Sequence, residues 1–164
     1  MIYGVIFDLE ETLVKLPIDY EPLYEEIKRA LRISRVKPLT KTVKKLDGKS
    51  REKVYKLWEC AELKALPNMS ANEEGMKIYK KQCNKPVALV TMQGKTVVRK
   101  ILDHFHLSFN VIVTREDEID RVRQLRKAID EIGLKPHSVL VVGDRDSDED
   151  SAKQVGCKFL RVMA

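Results

Sequence analysis

Five short apolar runs recur along the chain, and each has the length and composition of a buried β-strand. They span residues 2–7, 86–91, 110–114, 138–143 and 158–162. None shows the regular alternation of apolar and polar residues that is typical of a strand with one face in solvent. We therefore expect strands that are covered on both faces, as in a parallel sheet.

Apolar residues at helical spacing lie between the later strands. One pattern follows the run at 86–91 and consists of Val98, Ile101, Leu102 and Phe105. Another consists of Leu125, Ala128, Ile129 and Ile132, and Gly133 is suited to end that helix. A further helix is predicted from Asp148 to Val155. Strands that alternate with helices predict an α/β fold, a Rossmann-like, doubly wound sheet of five parallel strands.

The interval 16–84 breaks this alternation, because it contains helical patterns and no convincing strand. Its apolar stripes are Leu23, Ile27, Ala30 and Leu31, then Val43 and Leu46, then Val54, Leu57, Trp58 and Ala61. The segment "SANE" at 70–73 has the pattern of a capping box that opens a fourth helix. We therefore predict a small helical cap at 16–84, inserted after the first strand of a core domain formed by 1–15 and 85–164.

Acidic and hydroxyl side chains follow the predicted strands. Asp8 and Glu10 come after the first strand, Thr91 closes the second, and Asp144 and Asp148 follow the fourth. The carboxyl ends of parallel strands meet at one edge of a sheet, where ligands bind. Carboxylates gathered there repel one another unless a cation is present, and Mg2+ prefers such oxygen ligands. The pattern indicates a magnesium site.

The chain resembles the haloacid dehalogenase superfamily of phosphohydrolases, in its phosphoglycolate-phosphatase-like branch. The matching segments are "FDLEETL", "LVTMQ", an arginine near 121 and "VVGDRDSDEDSAKQVG", with "TREDEIDR" and "GLKPHSVLVVGD" between them. The resemblance implies a Mg2+-dependent phosphatase of a small phosphorylated metabolite, with a phosphorylated aspartate as intermediate. It also implies that the insertion is a cap that closes over the site.

The resemblance also assigns roles to individual residues. Asp8 is the expected nucleophile and Glu10 the expected general acid and base, while Thr91 and Arg121 bind the phosphoryl group. The expected Mg2+ ligands are Asp8, the backbone carbonyl of Glu10, Asp144 and Asp148.

Two positions depart from the family pattern. Glu10 stands where the phosphatases of the family have Asp, and its extra methylene puts the speed of proton transfer in question. The third motif usually has Lys, and here Arg121 is preferred, with Arg123 and Lys127 as alternatives. A binding or regulatory protein with weak or no hydrolysis therefore stays open as a second function.

Charge and composition restrict the partners. The 164 residues carry a net charge of +6, and 34% of them are charged. Basic residues concentrate at 28–56 without the aromatic and glycine residues of an RNA-binding motif. Nucleic acid is therefore an unlikely partner, and removal of phosphate from nucleic-acid ends stays a third alternative. We expect a cytoplasmic protein, monomer or homodimer, without a membrane segment or signal peptide.

Overall fold

The computed structural model describes all 164 residues and contains a five-stranded parallel sheet. The strands in chain order are β1 (Gly4–Phe7), β2 (Val14–Lys15), β3 (Ser70–Ala71), β4 (Val87–Val90), β5 (Val111–Val113), β6 (Val139–Gly143) and β7 (Lys158–Arg161). The parallel sheet has the order β5-β4-β1-β6-β7, and β2 pairs with β3 separately. The predicted doubly wound α/β fold is confirmed.

Seven α-helices accompany these strands. They are α1 (Tyr20–Leu31), α2 (Leu39–Lys44), α3 (Gly48–Ala65), α4 (Glu73–Gln82), α5 (Lys95–Phe105), α6 (Arg121–Ile132) and α7 (Asp146–Val155). Gly133 and Gly156 follow α6 and α7 with φ of 78° and 96°, the left-handed conformation that glycine adopts without strain. None of the helices has the length and apolar composition that a membrane crossing requires.

Strand β1 lies at the centre of the sheet and is fully buried. Phe7 pairs in register with Leu89 of β4 and with Val142 of β6. The sheet separates two apolar clusters, one around Phe7 and one around Ile6. Because β1 has neighbours on both sides, the residue that follows it emerges at the middle of the carboxyl edge.

The insertion is helical, as predicted, and also contains a strand of two residues that the sequence pattern did not indicate. Ser70 and Ala71 pair antiparallel with Lys15 and Val14, the residues that directly precede the insertion. The predicted capping box is wrong, because Ser70 is held in this strand. Asn72 caps α4 instead, and its side chain accepts a hydrogen bond from the N–H of Glu74.

Helices α1 to α3 share a third apolar cluster, which includes Leu23, Val43 and Trp58. Ile119, from the loop before α6, also belongs to this cluster and brings it against the sheet edge. Helix α4 packs differently, since its Tyr79 ring contacts Phe7 of β1 at a centroid distance of 5.9 Å. The domain boundaries at 15/16 and 84/85 stay a prediction.

Candidate active site

Three aspartates meet at the carboxyl edge of the sheet. Asp8 follows β1, Asp144 follows β6, and Asp148 lies in the first turn of α7. One carboxylate oxygen of each lies within 4.8 Å of the others. The close approach depends on Gly143, where an added Cβ would lie 2.7 Å from Asp148 Oδ2. The sequence prediction that these side chains share one edge is consistent with this arrangement.

A threonine links two of the aspartates. Thr12 Oγ1 lies 3.3 Å from Asp8 Oδ2 and 3.2 Å from Asp144 Oδ1, and its hydroxyl is fully buried. It has one proton, so it donates to one carboxylate at a time. The N–H of Arg145 donates to Asp148 Oδ2 at 3.2 Å. These bonds orient the carboxylates but leave most of their negative charge without a partner.

Arg121, the first residue of α6, supplies the basic group of this cluster. Its Nη2 lies 3.1 Å from Asp8 Oδ1, and its Nε lies 3.6 Å from Asp148 Oδ1. Its Nη1 is buried and has no hydrogen-bond partner. A buried donor without a partner costs free energy, so this atom is suited to a bound anion.

The two alternatives to Arg121 are placed differently. Lys127 lies further along α6 and pairs with Glu131 at 3.3 Å, where both side chains are about half exposed. Arg123 contributes its backbone N–H to the Asp120 side chain that caps α6. The structure therefore brings Arg121, and not Lys127, to Asp8.

The electrostatics of the cluster favour a bound cation. Burial raises the pKa of Asp8 to about 7, and repulsion from Asp148 and Asp144 adds to this effect, while Arg121 opposes it. Three carboxylates thus have Arg121 as their largely buried cation, and the largely exposed Arg145 lies 4.0 Å from Asp144. All of the offered ligand atoms are hard oxygens, the donor set that Mg2+ and Ca2+ select. The residues fit a divalent cation.

Glu10 lies beside this cluster, under the insertion. Gln93 Nε2 donates to Glu10 Oε2 at 2.7 Å, and the Tyr20 hydroxyl donates to the same oxygen at 3.4 Å. Burial raises the pKa of Glu10 to about 7, while Arg145 and the bond from Gln93 oppose the increase. A carboxyl group with a pKa near neutrality can both donate and accept a proton.

Thr91 ends β4 at the same edge and is fully buried. Its hydroxyl donates to Gln93 Oε1, and it accepts from the Gln93 N–H at 3.1 Å. Gln124 Nε2 donates to the Thr91 carbonyl at 2.9 Å. The hydroxyl is thereby held by Gln93, and Thr91 itself does not line the cleft in which Asp8 and Glu10 lie.

A cleft of roughly 260 Å³ opens between the sheet edge and the insertion. Asp8, Glu10 and Arg121 line it on one side, and Thr40 and Lys44 of α2 line it on the other. Lys44 also bonds Asp120 at 2.6 Å, so it connects the insertion to the loop before α6. Among the basic residues of the insertion, Lys44 is the one that lines this cleft.

The chain matches a known family over nearly its whole length. Residues 5–162 match the sequence profile described as haloacid dehalogenase-like hydrolase. The chain belongs to this family. Comparison with curated protein sequences gives no match.

Solved structures of the family share the fold. A putative phosphoglycolate phosphatase from Lactobacillus plantarum has 17% identity and a TM-score of 0.65, over 97% of this chain and 86% of its own. A hydrolase from Pseudomonas syringae has 19% identity and a TM-score of 0.72, over 96% of this chain and 82% of its own. CbbY from Rhodobacter sphaeroides, in complex with phosphate, has 15% identity and a TM-score of 0.69, over 100% of this chain and 87% of its own.

Several residues around the site of this haloacid dehalogenase-like hydrolase had no role in the sequence prediction. Thr12, Gln93 and Tyr20 bond to the predicted site residues, and Arg145 lines the cleft. Thr12 and Gln93 lie only four and two positions from Asp8 and Thr91, so proximity in sequence was the available signal. No sequence signal marked Tyr20, because its contact with Glu10 depends on how α1 lies over the sheet edge.

Proposed function

We propose that the chain is a Mg2+-dependent phosphomonoesterase that hydrolyses a small phosphorylated metabolite through a phosphorylated Asp8. The observation that carries this proposal is the position of Asp8 at the end of the central strand. There it lies beside the carboxylates of Asp144 and Asp148 and bonds the Arg121 guanidinium, whose buried Nη1 has no hydrogen-bond partner and is suited to an anion. Family membership supports the reaction class.

In the first step, an Asp8 oxygen attacks phosphorus, and the bond from phosphorus to the leaving oxygen breaks. Arg121 neutralises the charge of nucleophile and phosphoryl group, and Thr91 contributes to binding the phosphoryl group from the end of β4. Asp8, the Glu10 carbonyl, Asp144 and Asp148 are the residues that would hold Mg2+. When bound, the ion offsets the negative charge of carboxylates and phosphate and so permits their approach.

Glu10 moves the protons of both steps. It gives its proton to the leaving oxygen, which departs as an alcohol. It then takes a proton from the water that attacks the phosphorylated Asp8, and this releases phosphate and restores the aspartate. The pKa of about 7 suits both directions of transfer.

The substrate class follows from the size of the cleft and from the neighbouring proteins. The cleft above Asp8 has a volume of roughly 260 Å³, and α2 lines one side of it. A small phosphorylated compound fits it better than a macromolecule. The names of the structural neighbours include a putative phosphoglycolate phosphatase and a protein that holds phosphate, which supports a small phosphorylated substrate.

A second candidate function is binding or regulation with weak hydrolysis. The observation in its favour is that Glu10 replaces the shorter acid of the family pattern and is bonded by both Gln93 and Tyr20. A variant Glu10→Asp separates the two candidates. Faster turnover in the variant favours a hydrolase slowed by its longer acid, and absence of turnover in both favours the binding protein.

The test is phosphate release from a panel of phosphomonoesters that includes p-nitrophenyl phosphate and a 5′-phosphorylated oligonucleotide. We expect release from small substrates with Mg2+, and none with a chelator or in Asp8→Asn. Lys127→Ala is the matched control, since its side chain pairs on the surface. Equal release by wild type and Asp8→Asn would exclude Asp8 as the nucleophile.

A further inference from the structure

A fully buried ion pair joins the insertion to the sheet. Glu62 of α3 and Arg115, in the loop after β5, both have side chains without solvent exposure. Arg115 Nη1 lies 2.6 Å from Glu62 Oε2, and Arg115 Nη2 lies 2.9 Å from Glu62 Oε1. The two bonds are parallel, which is the strongest arrangement of guanidinium and carboxylate.

The same two side chains hold the backbone on both sides of Gln93. Arg115 Nη1 donates to the Met92 carbonyl at 3.1 Å. The Gly94 N–H donates to Glu62 Oε2 at 3.2 Å. An added Cβ at Gly94 would lie 2.7 Å from Arg115 Nη2, so the backbone here has no room for a side chain. The pair thereby fixes the course of the loop that carries Gln93.

Aromatic rings of α3 secure the guanidinium. The Trp58 ring centroid lies 4.2 Å from Arg115 Cζ, and the Tyr55 ring centroid lies 5.2 Å from it. The Tyr55 hydroxyl also donates to the Arg115 carbonyl at 3.1 Å. A planar cation between rings and carboxylate has little freedom to move. The loop at 92–94 is therefore held from the insertion as well as from the sheet.

The Gln93 side chain extends from this loop to two residues of the site. Its Oε1 accepts from the Thr91 hydroxyl, which directs its Nε2 toward Glu10. The orientation of the amide follows from these partners. Only 2% of Gln93 is exposed, so water does not compete for the amide. Gln93 is the single side chain that contacts both the acid–base carboxyl group and the hydroxyl at the end of β4.

We propose that Gln93 is a positioning residue that holds the Glu10 carboxyl group for proton transfer, and that the Glu62–Arg115 pair fixes Gln93 for this task. The inference rests on the proposed phosphatase function. Glutamate has one more rotatable bond than the aspartate of the family pattern, so its carboxyl group samples more positions. A displacement of about 1 Å can reduce a rate by about 100-fold. The amide of Gln93 restricts that freedom.

The test compares two substrates of similar shape that differ in their need for an acid. Phenyl phosphate releases a weakly acidic phenol and needs protonation by Glu10, whereas p-nitrophenyl phosphate releases a stable anion and needs little. The parameter kcat/KM reports the steps up to the first transfer. We expect Gln93→Leu to reduce kcat/KM for phenyl phosphate by about 100-fold. For p-nitrophenyl phosphate we expect a reduction of about tenfold or less. A merely structural role reduces both values equally.

A double variant, Glu62→Leu with Arg115→Met, tests the role of the pair. A buried ion pair can often be replaced by apolar residues without loss of stability, and Met packs well against aromatic rings. We expect the same unequal loss on the two substrates, in a smaller amount. A double variant that folds and treats both substrates as the wild type does overturns the role of the pair. Should it not fold, Gln93→Leu still decides the role of Gln93.

The outcomes separate this inference from the function on which it rests. Equal losses on both substrates in Gln93→Leu, or no loss, overturn the positioning role and leave the phosphatase intact. A wild type that releases phosphate from neither substrate overturns the phosphatase, and the positioning role with it. Lys127→Ala again serves as the control and is expected to behave as the wild type on both substrates.

Discussion

The molecule buries charge in two regions, and the two differ in their balance. At the sheet edge, the carboxylates of Asp8, Asp144 and Asp148 have one largely buried guanidinium beside them, that of Arg121, and the largely exposed Arg145 lies 4.0 Å from Asp144. At the junction with the insertion, Glu62 and Arg115 match one to one through two bonds. Burial of unmatched charge is unfavourable, so it persists where a ligand supplies the missing charge. The acidic sheet edge is therefore suited to binding a ligand, whereas the Glu62–Arg115 pair holds the insertion against the sheet.

Removal of one charge should therefore act in opposite directions on stability in the two regions. Asp8→Asn is expected to reduce phosphate release by roughly 10⁴-fold or more, because the nucleophile is lost. The same change should raise the thermal midpoint of the metal-free chain, since it removes repulsion from Asp144 and Asp148. Phosphate release and thermal unfolding measure the two effects. A lower midpoint in the variant would contradict the view of Asp8 as an unmatched charge.

In the matched region, removal of one partner should destabilise. Glu62→Leu leaves the Arg115 guanidinium buried without its carboxylate, and we expect a loss of about 3–5 kcal/mol in the free energy of unfolding. Adding Arg115→Met should recover part of that loss, because both charges are then absent while the Met92 carbonyl and the Gly94 N–H stay without their partners. Denaturant unfolding of the two variants measures it. If the single and double variants lose equal amounts, the pair does not act through its charges.

The third change removes the largely buried cation of the acidic cluster, Arg121. Arg121→Met should reduce kcat/KM by about 10²–10³-fold, as expected for removal of a group that stabilises developing charge. Arg121→Lys should lose less, because it keeps the charge and gives up only the fork of donors. Lys127→Ala, on the same helix, is the control in the same kinetic assay. A larger loss in Lys127→Ala than in Arg121→Met would reverse the choice between them.

The smallest expected effect concerns pH and Mg2+. The pKa of Asp8 is raised from its ordinary value of 3.8 to about 7 in the folded chain. At pH values between these two, the folded chain therefore binds more protons than the unfolded chain does. The stability of the metal-free chain should therefore fall as pH rises through 7. Mg2+ needs ionised ligands, so its stabilising effect should be greater at about pH 8 than at about pH 5.5. Thermal midpoints with and without Mg2+ measure this, and an equal shift at both values would contradict it.

The sheet and its acidic edge were predictable from sequence because their signals are local. Apolar runs predict buried strands, and the rule that ligands lie at the carboxyl ends then places Asp8, Thr91 and Asp144 together. The short strand at Ser70–Ala71 escaped prediction, since two residues give no alternation of apolar and polar positions. What makes it a strand is its antiparallel partner Val14–Lys15, far away in sequence.

The contacts between the insertion and the sheet were not predictable. Glu62 and Arg115 lie 53 positions apart, and no spacing in the sequence marks them as partners. The bond from Tyr20 to Glu10 likewise depends on how α1 lies over the edge. Such contacts arise from the docking of two separately patterned parts, which hydrophobic periodicity does not specify. The roles of Asp8, Glu10, Thr91 and Arg121 stay proposals until they are tested by substitution.

The central claim is that Asp8 at the unmatched edge becomes phosphorylated, and trapping of the phosphorylated chain tests it most directly. Glu10→Gln should slow the second step, since no base remains to activate water, and so allow the intermediate to accumulate. The variant is mixed with p-nitrophenyl phosphate and Mg2+, quenched in acid and digested for mass spectrometry. We expect one phosphoryl group on the peptide that contains Asp8, and none without Mg2+ or in Glu10→Gln combined with Asp8→Asn. Phosphate release by the wild type with no such label in the variant, or with the label on another peptide, would contradict it.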